Sequence, residues 1–250
     1  MLTRLREAGL IWPTVATIVA LGVLVSLGTW QVQRKQWKDG LIAKIAARTQ
    51  AAPIELPSDE ALIKNADREY LHVTASGHFL HDKERYLYAP TPLGLGWHVF
   101  TPLATTSGEL VWVNRGFVPD ARKDPNTRAE GQIPGTGTAR VTGLLRNVPT
   151  PGPFTPANDT ARNLWYWPDI DAMTFSITPP GATMPPMPYW IDADARPEPP
   201  GGFPKGGVTR VDLPNRHLEY AITWYGLALT LIGVYLAFAA SRLRPFSGRR

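Results

Sequence analysis

The sequence predicts a membrane protein in which two transmembrane helices, one near each end, flank a β-rich domain of antiparallel barrel or sandwich type with a few short helices. Two stretches of 21 residues, Leu10–Trp30 and Tyr220–Ala240, contain no charged residue. Between them, short β-branched and aromatic runs alternate with glycine and proline, which is typical of a compact β domain. The net charge of +5 lies at the two ends, with +1 in the first nine residues and +4 in the last ten.

The first uncharged stretch is predicted to be a transmembrane helix over residues 10–30. At about 1.5 Å per residue, 21 residues are enough to cross a hydrocarbon core of roughly 30 Å. The alternative is a cleaved signal peptide, with Arg4 and Arg6 as its basic region and Ser26-Leu27-Gly28 as a small-residue cleavage site. Because the apolar run exceeds the usual length of about 7–15 residues, we expect a retained helix.

The second span, predicted over residues 217–240, fixes the expected orientation. Two spans place both termini on one side, and Arg242 and Arg244 just after the second span indicate that this side is the cytoplasm. We therefore expect cytoplasmic tails at 1–9 and 241–250 and a periplasmic domain at 31–216. Positive charge confined to tails beside apolar runs favours a membrane over a nucleic-acid groove, so no nucleic-acid partner is expected.

Small residues four positions apart are candidates for packing the two spans together. Gly22 with Ser26 lies on the first span and Gly226 with Thr230 on the second. Such pairs let helix backbones approach closely, although they also arise by chance. Two spans that only anchor the chain are the alternative.

The basic segment after the first span predicts an amphipathic helical extension over residues 31–48. Trp30, Trp37, Leu41 and Ile45 recur at spacings of seven, four and four, and Arg34 falls on the same face. We expect Trp30, Arg34 and Trp37 to lie just outside the outer leaflet, where the rings pack on acyl chains or a macrocycle and the guanidinium meets phosphate or propionate. Plain anchoring is the alternative. A glycine at position 40 weakens the case for one continuous helix.

Within the β domain, each strand is predicted from a β-branched or aromatic run bounded by turn residues. A short helix is predicted at Asp169–Phe175, after Pro168, and an irregular Pro/Gly-rich surface loop at 178–204. The predicted strands are Tyr70–Gly77, Arg85–Tyr88, Trp97–Leu103, Glu109–Phe117, Ala139–Arg146 and Tyr189–Asp192.

Familiar catalytic patterns are missing from the sequence. With no cysteine, thiolate chemistry, disulfides and cysteine copper sites are excluded. The sequence has no GxSxG, HExxH, GxGxxG or phosphate-binding loop pattern, so an enzyme is not expected. His78 with His81, and Met184 with Met187, could bind a metal, but a site normally needs three or four converging ligands, and such pairs are more often structural.

The most informative histidine is His217, at the outer end of the second span. Helical spacing places Tyr220, Trp224, Ala228, Leu231 and Tyr235 below it on one face. A neutral imidazole above an aromatic and aliphatic face suits a lipophilic haem, whose iron it can ligate. The alternative is a histidine wetted at the interface, beside arginines that bind lipid phosphate. The candidate cofactor-binding residues are His217, as iron ligand, with Tyr220, Trp224, Arg216, Arg34 and Trp30.

Several segments together resemble the surfeit locus protein 1 family of cytochrome oxidase assembly factors. The similarity extends from about Leu27 to Phe238, with one helix at each end of a β-rich domain. It is carried by Gly28-Thr29-Trp30-Gln31 with Arg34, Trp37-Lys38 and Leu41-Ile42, by Gly77-His78-Phe79 with His81, Glu84 and Pro90, by Val113–Pro119, by Arg162–Tyr166 with Asp169 and Met173, and by Asn215–Tyr225.

This resemblance implies a non-enzymatic assembly factor that binds haem a at His217 and assists its insertion into the catalytic subunit of cytochrome c oxidase. The implied partners are that subunit, haem a synthase as a second candidate, and membrane lipid. The short N-terminus implies a bacterial inner-membrane member rather than a mitochondrial one. The alternative is a scaffold that stabilises oxidase intermediates without haem, and a membrane-anchored hydrolase is the least supported because no nucleophile and base are found.

Overall fold

The structure of the protein is a computed structural model that describes residues 6–57, 66–91, 94–132, 137–179, 187–209, 211 and 213–243. The chain divides into two compact units. The helical unit comprises Met1–Lys44 and Asp212–Arg250, and the β unit comprises Ile45–Val211. Arg4 and Arg244, which carry part of the predicted tails, and Met184 lie outside the described residues.

The helical unit contains two long helices. Helix α1 runs from Ile11 to Thr49 without a break, so the predicted extension is confirmed and the glycine at position 40 does not end it. It stops just before an Ala-Pro pair, because the residue preceding a proline disfavours helical geometry. The last helix, called α3 below, runs from His217 to Leu243, and Glu219 in its first turn and Arg242 in its last turn complement the helix dipole.

The two helices pack through residues other than the predicted small pairs. A Cβ atom on Gly28 would lie 2.8 Å from a ring carbon of Tyr225, so any larger residue would force that ring to move. Near the opposite end of the pair, the Thr14 and Tyr235 hydroxyls lie 2.5 Å apart. A Cβ atom on Gly22 would meet nothing within 4 Å. The prediction that this glycine mediates packing is therefore wrong, because it lies on the exposed side of α1.

Helices α1 and α3 are both long and apolar enough to cross a membrane. Much of their apolar surface is exposed, including Ile18 at 63%, Val19 at 62% and Leu229 at 70%. Rows of aliphatic side chains of this kind are typical of surfaces that meet lipid.

The β unit contains eight strands and one short α-helix among the described residues. Helix α2 is Ile170–Phe175, and the Asp169 side chain accepts a hydrogen bond from the Ala172 amide at its N-terminus. The strands are β1 (Ile54–Glu55), β2 (His72–Phe79), β3 (Arg85–Tyr88), β4 (Gly96–Thr105), β5 (Leu110–Pro119), β6 (Ala139–Asn147), β7 (Leu164–Trp165) and β8 (Tyr189–Ala193).

Five of these strands close into a barrel. The cyclic order is β2, β6, β8, β5, β4 and back to β2, and strand β2 closes the ring by pairing Gly77 with Thr105 of β4. All pairs in the ring are antiparallel except β5 with β8. Outside the ring, β1 with β2 and β3 with β7 are also parallel, so the predicted antiparallel arrangement is wrong at three strand pairs. A five-stranded Greek-key barrel with this connectivity is the arrangement of the OB fold. Strands β3 and β7 extend the sheet beyond β4.

Strand β8 corrects the prediction of an irregular surface loop over 178–204. Tyr189–Ala193 lies between β5 and β6 in the middle of the sheet, and Tyr189 and Ile191 are fully buried. The loop was predicted from the dense prolines and glycines on either side of this central strand of five residues. The separate prediction of a strand at Tyr189–Asp192 is confirmed.

Strands β5 and β8 are buried on both faces because they separate two cores. Val111 and Val113 point into the barrel interior, whereas Trp112 between them packs outside against α2 and Trp165. The Trp112 indole donates a hydrogen bond of 2.9 Å to the Thr174 hydroxyl of α2. A strand buried on both faces reads as a continuous apolar run, which explains why β5 shows little polar alternation.

Candidate functional site

His217 is the first residue of α3, and its ring is held by a residue of α1. The Nδ1 atom of His217 lies 2.7 Å from Oε1 of Gln31. Gln31 is only 9% exposed, on the face of α1 that also carries Gly28. Among the described residues, no hydrogen bond to Nε2 of His217 is found. An amide oxygen only accepts, so this contact fixes the proton on Nδ1 and leaves the Nε2 lone pair available to a ligand.

A second set of polar contacts joins the same two segments one to two helical turns further along α1. The Lys38 ammonium donates to the Pro214 carbonyl. Asn215 donates to Asp39 at 2.8 Å, and Asp39 also accepts from Lys35 at 2.6 Å. The hydrogen bond from Lys35, opposed by desolvation, lowers the pKa of Asp39. These contacts fix the chain directly before His217, so the start of α3 is held against α1.

The predicted arginines and exposed rings lie near this position in sequence, and among the described residues they make no hydrogen bond to the His217 side chain. Arg216 pairs with Glu219 at 3.2 Å, and its side chain is 71% exposed. The Arg34 guanidinium stacks 4.0 Å above the Trp37 ring. The rings of Trp30 and Tyr220 are 54% and 56% exposed. Both guanidiniums and both rings therefore remain accessible to an amphipathic ligand.

The lower part of the predicted aromatic face of α3 packs against α1. Ala228 is buried, at 5% exposed, and the Tyr235 hydroxyl contacts Thr14. Trp224 is half-buried. The open part of the site is consequently the end of α3 near His217 and Tyr220, with Trp224 at its lower edge.

The donor set at His217 fits an iron porphyrin better than a bare metal ion. Among the described residues, no group of three or more histidine, cysteine or acidic side chains converges, so a free cation would find too few ligands there. A porphyrin already provides four nitrogen ligands and needs only an axial donor, which a single imidazole can supply. Exposed guanidiniums such as Arg216 and Arg34 suit its carboxylate groups.

The other histidine pair belongs to the β unit and does not converge. His78 is exposed on β2, whereas His81 lies beside a buried ion cluster, with Nδ1 3.2 Å from an Arg115 nitrogen. The centre of that cluster is Glu84, which is 3% exposed. Glu84 forms ion pairs with Arg128 at 2.5 Å and with Arg115 at 3.3 Å.

A cavity of about 780 Å³ lies on the outer face of β4, β5 and β8. Its floor contains Asp192, a carboxylate that is 4% exposed and accepts hydrogen bonds from Asn114, Trp190, Arg146 and Thr209. Four donors satisfy both oxygens of Asp192, so the network stiffens the barrel wall instead of offering a free ligand group. Met187, two residues before the start of β8, packs against the barrel core, as expected for a structural methionine.

The sequence interpretation missed Gln31, the residue in direct contact with His217. A signal was present, because Leu24, Gly28 and Gln31 recur at helical spacing, which places one polar residue on an otherwise apolar face of the span. A buried amide at such a position needs a partner. The identity of that partner depends on how α1 and α3 pair, which no local pattern encodes.

Comparisons with known proteins agree over most of the chain. Residues 18–229 match the model of the SURF1 family. A SURF1-like protein of Monosiga brevicollis is 38% identical over 244 residues, covering 92% of this chain and 88% of that protein. Surfeit locus protein 1 of Mus musculus is 42% identical over 217 residues, covering 80% of this chain and 67% of the mouse protein. The Homo sapiens protein of that name is 42% identical over 219 residues, covering 81% and 69%.

Proposed function

This chain belongs to the SURF1 family, and from that premise we propose that it is a membrane-anchored assembly factor for cytochrome c oxidase. In this proposal it binds haem a at His217 and assists its insertion into the catalytic subunit. The observation that carries the proposal is the hydrogen bond of 2.7 Å from His217 Nδ1 to Gln31. This hydrogen bond leaves the Nε2 lone pair free to ligate iron. A histidine with one nitrogen held and the other free is the usual arrangement of a metal-ligating imidazole.

The residues around His217 would hold different parts of the cofactor. When bound, haem a would supply an iron macrocycle with two carboxylate groups. His217 would offer Nε2 to the iron, while the exposed rings of Tyr220 and Trp30 would provide apolar contact. Arg216 and Arg34 provide positive charge for the carboxylates. Trp224 lies one turn below Tyr220 and borders the apolar side.

The membrane placement follows from the exposed aliphatic surface of α1 and α3. We place the uncharged stretches of both helices, residues 10–30 and 220–240, in the bacterial inner membrane, with the charged second half of α1 and the β unit on the periplasmic side and His217 near the outer surface. Tryptophans at the ends of the apolar stretches, Trp12 at 80% exposed and Trp30 at 54%, suit the two interfaces. In this arrangement the site opens to lipid and to the periplasmic side, where a membrane-embedded oxidase subunit can meet it.

The role is carriage and not catalysis. Among the described side chains, Glu84 has a strongly lowered pKa, but it is engaged by two buried arginines and not presented to a substrate. Within the described part of the chain, His217 has no hydroxyl or carboxylate hydrogen-bond partner that would make it a general base.

A deletion strain complemented with variants tests the proposal. The measurement is haem a per catalytic subunit in purified oxidase. A haem carrier predicts that His217→Ala leaves the subunit present but lowers its haem a content, while His78→Ala, which changes an exposed histidine of the β unit, restores the wild-type ratio. An undiminished haem a ratio in the His217→Ala strain would contradict the haem role.

The second candidate is a scaffold that stabilises oxidase intermediates through protein contacts. The scaffold role is favoured by two large apolar side chains that are exposed on the β unit, Phe154 at 96% and Phe175 at 84%. Exposed aromatic side chains of this kind are typical anchors of protein interfaces. A scaffold predicts that Phe154→Ser with Phe175→Ser lowers the amount of assembled catalytic subunit, at unchanged haem a per subunit.

A further inference from the structure

The contact between His217 and Gln31 has a chemical consequence for how firmly the site holds iron. Ligating histidines usually donate their second nitrogen to a carboxylate, a carbonyl or water, and a carboxylate makes the imidazole the strongest donor to the metal. Here the acceptor is the neutral amide oxygen of Gln31 at 2.7 Å. A neutral acceptor orients the ring and selects its tautomer, but it increases electron donation to iron less than a carboxylate does.

We infer that Gln31 is the positioning residue of the site: it fixes His217 in the Nδ1-protonated form and, being uncharged, keeps the iron bond weak enough for the haem to be released. This inference rests on the proposed function and assigns its release step to one side chain. Gln31 is bonded to His217, so it would act on the iron through that residue.

The carboxylates closest in sequence are engaged elsewhere. Asp39 lies two turns beyond Gln31 on α1 and is held by Lys35 at 2.6 Å and Asn215 at 2.8 Å. Glu219, two residues after His217, pairs with Arg216 at 3.2 Å. The imidazole is therefore left with an amide as its partner, although two acidic residues lie within three helical turns of the contact.

The burial of Gln31 fixes the direction of its contact with His217. Gln31 is 9% exposed, so water competes poorly for its oxygen, and loss of the histidine contact would leave a buried amide without a partner. The contacts of Lys38 with the Pro214 carbonyl and of Asn215 with Asp39 hold the preceding backbone, so His217 cannot easily swing away. The same geometry that presents Nε2 therefore restricts its direction.

The tautomer is tested in the haem-free full chain. Nitrogen-15 NMR of histidine-labelled protein in detergent micelles distinguishes protonated Nδ1 from protonated Nε2. We expect the His217 signals, identified by their loss in His217→Ala, to report a proton on Nδ1 in the wild type and a mixture of tautomers in Gln31→Leu. A wild-type His217 that carries its neutral-form proton on Nε2 overturns the assignment of Gln31.

The release step is tested with ferric haem as the probe and apomyoglobin as the acceptor. Gln31→Glu keeps the shape of the side chain and adds a charge, and we expect it to slow transfer to apomyoglobin by about tenfold, the lower end of the range for changes in outer-shell partners. Gln33→Glu adds the same charge at an exposed position two residues along and should leave the rate within about twofold of wild type.

The outcomes separate the inference from the proposed function. Transfer from Gln31→Glu that is as fast as wild type, or slowing by Gln33→Glu to the same extent, overturns the release role of Gln31. A wild-type chain that shows no Soret band with ferric haem overturns the proposed function and the release argument with it. The NMR result decides whether Gln31 sets the tautomer in either case.

Discussion

Single side chains in the β unit show how the fold accommodates buried charge, and Glu84 is the extreme case. Its carboxylate accepts hydrogen bonds from Arg128, Arg115 and the Tyr86 hydroxyl, and all three partners are themselves buried. Burial alone would raise the pKa of Glu84. Hydrogen bonds from His81 and Arg128 and the charges of both arginines outweigh burial and lower that pKa to about 2.

Removing this carboxylate should strongly destabilise the β unit. Glu84→Gln leaves two buried guanidiniums without their shared anion, and we expect the free energy of unfolding to fall by about 3–5 kcal/mol. The measurement is urea unfolding of the full chain in detergent micelles, followed by near-ultraviolet circular dichroism of the tryptophans. Glu55→Gln is the matched control, because its pair with Arg140 is 70% exposed and should change stability by less than about 1 kcal/mol. Equal effects of the two changes would refute the argument from burial.

The same side chain predicts a pH dependence with a defined sign. The pKa of Glu84 is lower in the folded chain than its ordinary value of 4.5, so its contribution to stability is present above pH 4.5 and is lost as pH falls toward about 2. We expect the stability gap between wild type and Glu84→Gln to shrink steadily over that interval. A gap that stays constant down to pH 2 would mean that the Glu84 carboxylate is not the titrating group.

At the scale of elements, the pairing of α1 with α3 depends on one glycine. A Cβ atom on Gly28 would approach the Tyr225 ring to 2.8 Å, whereas one on Gly22 would meet nothing within 4 Å. Side-chain hydroxyls at both ends of the interface, Thr29 with Tyr225 and Thr14 with Tyr235, add polar contacts between the helices. Close approach at a small residue combined with interhelical hydrogen bonds is typical of helix pairs in lipid.

Valine at position 28 should therefore separate the helices. We expect Gly28→Val to weaken the pairing by about 1–3 kcal/mol, the usual effect of overpacking. The measurement is bis-maleimide crosslinking of a Thr14→Cys, Tyr235→Cys pair, which is specific because the native chain has no cysteine. Crosslinking should fall in Gly28→Val and stay at the starting level in Gly22→Val. A fall of similar size in both variants would contradict the assigned interface.

Local patterns predicted elements more successfully than they predicted how elements meet. The strand at Arg85–Tyr88 was predicted to the residue, and the helix predicted at Asp169–Phe175 from the proline near its start is α2, which begins one residue later. The two-residue strands at Ile54–Glu55 and Leu164–Trp165 were missed, because two residues carry no periodicity. Strand β8 was predicted both as a strand and as part of a loop, since its own residues and its prolyl neighbours give opposite signals.

At the scale of the whole molecule, neither the barrel closure nor the contact of His217 with Gln31 could be predicted from sequence, and the reason is the same for both. Gly77 meets Thr105 and Trp112 meets Trp190 across long stretches of chain, and such pairings depend on the total packing and not on local sequence. In the same way, 186 positions separate His217 from Gln31. The start of the second long helix at His217 was predicted from sequence, whereas the role of His217 as an iron ligand stays a prediction.

The most direct test of the account is the absorption spectrum of the full chain purified from cells that make haem a. We predict a Soret band in the wild type, retained in His78→Ala, whose histidine is exposed on β2, and lost in His217→Ala. An undiminished band in the His217→Ala protein, or no band in any of the three, would contradict the claim that α1 and α3 present His217 to haem iron.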